Sequence, residues 1–132
     1  MNVILDASTI IAVITNESNK PKIIEATVDT ELVAPESIHW EIGNVFSAMF
    51  KRNLITLEQA LAALKIYAEL PIRFINIELE PSLILSKQYN IYAYDAYLIE
   101  CALKLKSPLL TLDKQLARVA EQKGVEIIRI ES

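Results

Sequence analysis

Histidine and cysteine occur once each, as His39 and Cys101, and glycine only twice. A single cysteine cannot close an internal disulfide. That fits a reducing compartment and makes the cytoplasm the expected location. With no metal-type spacing joining His39 and Cys101, a zinc site is not expected, and His39 is read as structural or exposed. Two glycines, with no G-x-G-x-x-G or G-x-x-x-x-G-K-[ST] pattern, argue against a glycine-rich phosphate loop. Long apolar runs are missing too: the charge-free stretch after Asp6 ends at Glu17, short of the roughly 20 residues a membrane span needs. No basic region precedes an apolar run at the N-terminus, so no secretory signal is expected. Positive charge is in deficit, with a formal net charge of −4. A broad basic surface for nucleic acid is therefore excluded, and any such function needs a local basic rim or metal ions.

What is abundant is apolar side chain, at 52% of residues and a mean hydropathy of +0.29. For 132 residues this is one core, with part of the apolar surface covered by a second copy or another chain. A single domain over 1–132 is expected. Short β-branched runs at 3–5, 32–34, 73–77, 109–111 and 126–130 read as strands. Helices are expected over about 7–15, 20–28, 35–52, 56–70, 81–89, 94–105 and 113–123. Thr56 to Gln59 forms a capping box, and Gly124 stands where a C-terminal glycine cap belongs. Strands alternating with helices imply an α/β fold with a parallel sheet.

Four carboxylates stand out. Asp6 follows the first strand and Asp113 the fourth, and sites in open parallel sheets form beyond the carboxyl ends of strands. Aspartate at such a junction is also a good helix cap. Glu41 falls between Val45 and Ala48 on the helical wheel, inside a stripe of Ile38, Ile42, Val45, Ala48 and Met49. A core-facing carboxylate is costly unless it is paired, for instance with Arg52, or coordinates metal. Asp95 lies between Ala102 and Ile99 on the apolar face of its helix, with Tyr92, Tyr94 and Tyr97 nearby. Like charges at close range repel unless neutralised, and hard oxygen ligands select Mg²⁺ or Mn²⁺.

Leu5-Asp6-Ala7-Ser8, Glu41-Ile42-Gly43-Asn44, Tyr94-Asp95-Ala96 and Thr111-Leu112-Asp113, in this order, resemble the motifs of PIN-domain nucleases. Chain length and spacing resemble those of VapC-type toxins from toxin–antitoxin pairs. The resemblance covers essentially the whole chain. It implies a three-layer PIN-like domain whose five-stranded parallel sheet has the order 3-2-1-4-5. It further implies that Asp6, Glu41, Asp95 and Asp113 form an acidic metal site. Ser8 and Thr111 match positions that support the site by hydrogen bonds, and Asn44 matches a polar position after the glutamate.

Four acids without a nucleophilic Ser–His or Cys–His pair lead to the expectation of an endoribonuclease using metal-activated water. The implied substrate is RNA, a tRNA or a messenger. Lys51, Arg52, Lys114 and Arg118 are candidate backbone contacts, or else ordinary solvated charge. A cognate antitoxin covering a groove near residues 36–70 is expected, with Trp40, Phe46 and Phe50 supplying apolar surface; a homodimer is a further use of such surface. Two alternatives stand beside this reading. One is a phosphoaspartyl phosphatase-like enzyme using Asp6 as nucleophile, against which Ser8 occupies the place of a second aspartate. The other is a non-catalytic binding module whose acids merely cap helices.

Overall fold

The computed structural model describes residues 1–130, so the last two residues of the expected domain lie outside the described ones. Five strands run β1 (Asn2–Leu5), β2 (Glu31–Pro35), β3 (Ile72–Ile75), β4 (Leu109–Leu110) and β5 (Ile127–Ile128). The helices are α1 (Ala7–Ile14), α2 (Lys20–Ala26), α3 (Ile38–Lys51), α4 (Leu57–Glu69), α5 (Leu79–Tyr89), α6 (Ala93–Leu105) and α7 (Lys114–Gln122). All strand pairs are parallel, in the expected order 3-2-1-4-5.

This order fixes which helices share a face. The chain moves one way from β1 to β3, then crosses back to β4 and on to β5. Right-handed crossovers then put α1 to α4 on one face and α5 to α7 on the other. The packing agrees: α1 meets α2, α3 and α4, while α5 packs on α6, which lies against β1, β2 and β4. The core fills both interfaces, with Val3, Ile4, Val33, Ile38, Ile99, Leu109 and Leu110 fully buried. Both faces of the central strands are covered, which is why they read as unbroken apolar runs rather than alternating ones.

Element ends follow local chemistry. Thr56 and Gln59 make both hydrogen bonds of the capping box, at 3.1 and 3.0 Å. Gly124 takes φ +96 just past α7, the left-handed turn that glycine supplies without a Cβ clash. Two boundaries differ from expectation. Pro35 closes β2 instead of opening α3, which begins at Ile38; its missing N–H falls at the end of the ladder, and the next residue, Glu36, donates its N–H to the Ile75 carbonyl at 2.9 Å. The third strand lies at 72–75 rather than 73–77 because its register with β2 ends at the Pro35–Ile75 pair.

Ile4 is fully buried in β1, between β2 and β4. Ile4→Ala is expected to lower the unfolding free energy by about 2–5 kcal/mol, the usual range for such truncations. A urea titration measures it, and a smaller loss shows that the strand's surroundings collapse around the gap.

Candidate active site

Parallel pairing of Leu5 with Leu110 sets the next residue of each strand, Asp6 and Thr111, side by side at the carboxyl edge of the sheet. Asp6 is 3% exposed. Ser8 Oγ lies 2.8 Å from both of its oxygens, the Thr9 N–H donates to Oδ1 at 3.0 Å, and Thr111 Oγ1 donates to Oδ2. Each hydroxyl is itself oriented from behind. Ser8 Oγ accepts from the Leu112 N–H at 3.0 Å, and Thr111 Oγ1 accepts from the Asp113 N–H at 2.9 Å. The two strand-to-helix junctions are thus stitched together through Asp6.

Asp6 and Asp113 also cap their helices. Asp6 receives the Thr9 N–H of α1, and Asp113 Oδ1 receives those of Gln115 and Leu116 at 2.9 and 3.1 Å. Capping therefore accounts for one oxygen of each and leaves Asp113 Oδ2 without a hydrogen bond among the described residues. Glu41 and Asp95 cap nothing. They stand in the first turns of α3 and α6, helices that run antiparallel to the strands and so begin at the same carboxyl edge.

Burial pushes Glu41 up from 4.5 to about 7, and the charges of Asp6, Asp95 and Asp113 push further in the same direction. Asp95 is raised from 3.8 to about 6 by burial and then by Asp113 and Asp6. Burial lifts Asp6 more than its hydrogen bonds lower it. Every charged neighbour acting on Glu41 and Asp95 is thus another acid. Among the described residues neither forms a salt bridge, and the Glu41–Arg52 pair does not exist. The four acids share one electrostatic site, yet no three of these side chains close around a common point at ligating distance among the described residues. Asp6 has both oxygens committed to hydrogen bonds at the sheet edge. A donor set of carboxylate oxygens short of positive charge fits a hard divalent cation.

The profile of the PIN domain matches residues 3–122. The chain belongs to the PIN domain family. Solved structures share the fold. PAE2754 from Pyrobaculum aerophilum is 20% identical, with a TM-score of 0.68 over 96% of this chain and 83% of that one. VapBC2 from Rickettsia felis, crystallised bound to a DNA fragment from its promoter, is 13% identical with a TM-score of 0.67, covering 97% of this chain and 98% of that one. VapC20 of Mycobacterium tuberculosis, described as a sarcin–ricin loop cleaving toxin, is also 13% identical, with a TM-score of 0.66 over 97% and 99% of the two chains. At such identities the likeness is one of fold. A comparison with curated proteins finds no match.

The remaining candidates of this PIN domain fall in three places. Lys114 and Arg118 line a cleft of about 520 Å³ beside Asp113, together with Arg129, which sequence reasoning missed because it lies beyond the last helix. Lys51 and Arg52 end α3, about 15 Å along its axis from Glu41 at 1.5 Å per residue, and are not brought to the acids. Asn44 is exposed on α3 and makes no hydrogen bond among the described residues. Ala48, expected in the apolar stripe of α3, is exposed, as is Gly43. His39 is exposed, and its Nδ1 lies 2.7 Å from the Tyr67 hydroxyl.

Raised acids stabilise a fold only while protonated. Below their unfolded values of 4.5 and 3.8 the contribution of Glu41 and Asp95 is complete; it is lost as pH climbs through about 6 and about 7. The metal-free protein should therefore melt at progressively lower temperature from about pH 4 to about pH 7 and level off above that. Glu41→Gln should flatten that slope and raise the melting temperature at the upper end. A slope unchanged by the substitution would remove Glu41 from the acidic cluster.

Proposed function

We propose that this PIN domain is a metal-dependent endoribonuclease acting as the toxin of a toxin–antitoxin pair. The observation that carries the reading is the pair Glu41 and Asp95, half-buried, capping nothing and facing only other acids. Asp6, Asp95 and Asp113 would hold one or two Mg²⁺ or Mn²⁺ ions, and Glu41 would add a ligand or orient the attacking water. A bound divalent cation lowers the pKa of water and neutralises charge on the scissile phosphate. Ser8 and Thr111 keep the Asp6 carboxylate in one orientation. Lys114 and Arg118, exposed on α7 and lining the cleft beside Asp113, would meet the RNA backbone.

The alternatives explain less. A phosphoaspartyl route calls for a second aspartate two residues after Asp6, where this chain has Ser8, whose hydroxyl is spent on holding the Asp6 carboxylate. A module with capping acids accounts for Asp6 and Asp113 but not for Glu41 or Asp95.

Two apolar surfaces support protein partners. One is a cleft of about 370 Å³ between α3 and α4, lined by Met49, Leu54, Ile55 and Ile66. Leu57, Leu61 and Leu64 are also exposed on α4, the setting for an amphipathic antitoxin segment. Phe46, expected on this surface, is instead 4% exposed and belongs to the core. The other is the outer side of α5, where Leu79, Leu83 and Ile84 are 57%, 50% and 60% exposed, a face suited to a second copy. VapBC2 is a toxin–antitoxin complex by its name.

Incubation of RNA with the protein and Mn²⁺ or Mg²⁺ should give cleavage with 3′-hydroxyl and 5′-phosphate ends, abolished by EDTA and by Asp6→Asn or Asp95→Asn. Cyclic phosphate ends would contradict the water scheme. Thr111→Val should reduce the rate roughly 10- to 100-fold, the usual effect of losing a hydrogen bond to a metal-ligating group. Mass measurement of the purified chain alone, then with the product of the neighbouring gene, is expected to give a homodimer and then a hetero-complex. A monomer binding nothing refutes the partner surfaces.

A further inference from the structure

Trp40 is the sole tryptophan of the chain and is 73% exposed. Its ring is nonetheless placed. It stands edge-on to His39, centroids 6.4 Å apart at 69°. His39 is in turn held by the Tyr67 hydroxyl and packed on Phe74 with centroids 4.3 Å apart. Tyr94 and Tyr97 on α6 meet edge to face at 6.2 Å and 77°. Trp40 and these tyrosines, with Glu36, Ser37 and Asn76, line a cleft of about 410 Å³. Trp40 precedes Glu41 in the first turn of α3 and Tyr94 precedes Asp95 in the first turn of α6, and the charge of Asp95 acts on Glu41, so the cleft and the acids draw on the same two helix starts.

The chemistry of the lining names its occupant. No lysine or arginine is among the described lining residues, so a phosphate has nothing to meet there. Lys104 stays outside, donating to the Asn76 carbonyl at 3.2 Å and tying the segment after β3 to α6. Aromatic rings offer faces to a flat partner, and Glu36, Ser37 and Asn76 offer hydrogen-bonding groups to its edge. Unpaired bases are bound by this combination, stacked on aromatic side chains and read along their Watson–Crick edges. An apolar protein segment would leave the Glu36 carboxylate facing hydrocarbon.

We propose that this cleft takes one unpaired nucleobase next to the phosphodiester being cut, with Trp40 and Tyr94 as stacking platforms and Glu36 and Asn76 as edge readers. The proposal rests on the reading of the chain as a ribonuclease. Phosphates then lie along the Lys114 and Arg118 side of the acids and the base along the aromatic side. The Glu36 carboxylate only accepts hydrogen bonds, and every base offers it a donor, the amino group of adenine, cytosine or guanine or the ring N3–H of uracil, so the weaker binding expected of uracil comes from its weaker stacking.

The test uses the full chain carrying Asp113→Asn, which keeps the α7 cap, with Mg²⁺ and labelled hexaribonucleotides shown intact on a denaturing gel. Trp40 emission should be quenched by single-stranded oligo(A) or oligo(C), more weakly by oligo(U), and not by a blunt duplex. Anisotropy should show Trp40→Ala and Tyr94→Leu weakening oligo(A) binding about 5- to 150-fold, the effect of one lost stacked base. Trp40→Phe should keep affinity within about threefold. Trp40 is exposed, so its variants fold and carry the test if Tyr94→Leu does not. Unchanged affinity in Trp40→Ala, equal quenching by duplex, or emission that shifts with protein concentration without RNA would overturn the proposal, the last assigning the cleft to a second copy. Wild type that cuts RNA while Trp40→Ala binds normally refutes the base cleft alone. Saturable quenching by a wild type that cuts nothing refutes the nuclease reading alone.

Discussion

Asp6 is the point on which the carboxyl edge of the sheet depends. Its carboxylate is inside the protein, where an ion without partners is expensive. Ser8, Thr9 and Thr111 supply those partners. Two of them are hydroxyls whose own acceptor positions are filled by the backbone N–H groups of Leu112 and Asp113. A hydroxyl that accepts from a fixed N–H has its proton directed elsewhere, and here it is directed at Asp6. The β1–α1 and β4–α7 junctions therefore hold each other, although more than a hundred residues separate them in the chain.

Around that fixed carboxylate the other acids are held less tightly. Glu41 and Asp95 are positioned by helix starts rather than by hydrogen bonds, and each is shifted upward by burial and by its acidic neighbours. The arrangement opposes folding at neutral pH and is made tolerable by the apolar layers on both sides of the sheet. Strain of this kind, where local electrostatics conflict with an otherwise consistent fold, is what functional sites typically show. A divalent cation relieves it by replacing repulsion with shared attraction, which couples any metal binding to stability.

The two flanks of the acidic edge differ in chemistry. Beside Asp113 the walls are cationic, with Lys114, Arg118 and an Arg129 that is ion-paired to Glu121 at 2.5 Å. The cleft that shares the helix starts of Glu41 and Asp95 is walled instead by aromatic, aliphatic and uncharged polar side chains, with Glu36 the one charge among its described lining residues. A net charge of −4 is compatible with nucleic acid only if attraction is local, and the cationic flank is where it is concentrated. The apolar surfaces on α4 and α5 lie on opposite faces of the sheet, so two different partners can occupy them at once.

Much of this was legible in the sequence. Apolar runs gave the strands, alternation with helical segments gave a parallel sheet, and the wheel positions of Glu41 and Asp95 marked carboxylates that had no reason to face inward. These signals are local, set by periodicities of two and 3.6 residues and by cap and turn chemistry. Where local signals compete, the sequence was ambiguous. Pro35 suits a helix start as well as a strand end, and only pairing with β3 decided it. Phe46 and Ala48 lie two positions apart on one helix, and only the packing around α3, which meets α1, decided which was buried. By itself, then, the sequence determined the elements, their parallel arrangement and the residue types available at the strand ends. The tertiary structure alone decided that Ser8 and Thr111 direct their protons at one carboxylate, that Lys51 and Arg52 stand away from the acids, and that Trp40 and Tyr94 line one cleft. Those facts depend on register between strands and on the crossing of helices distant in sequence, and no local pattern encodes either.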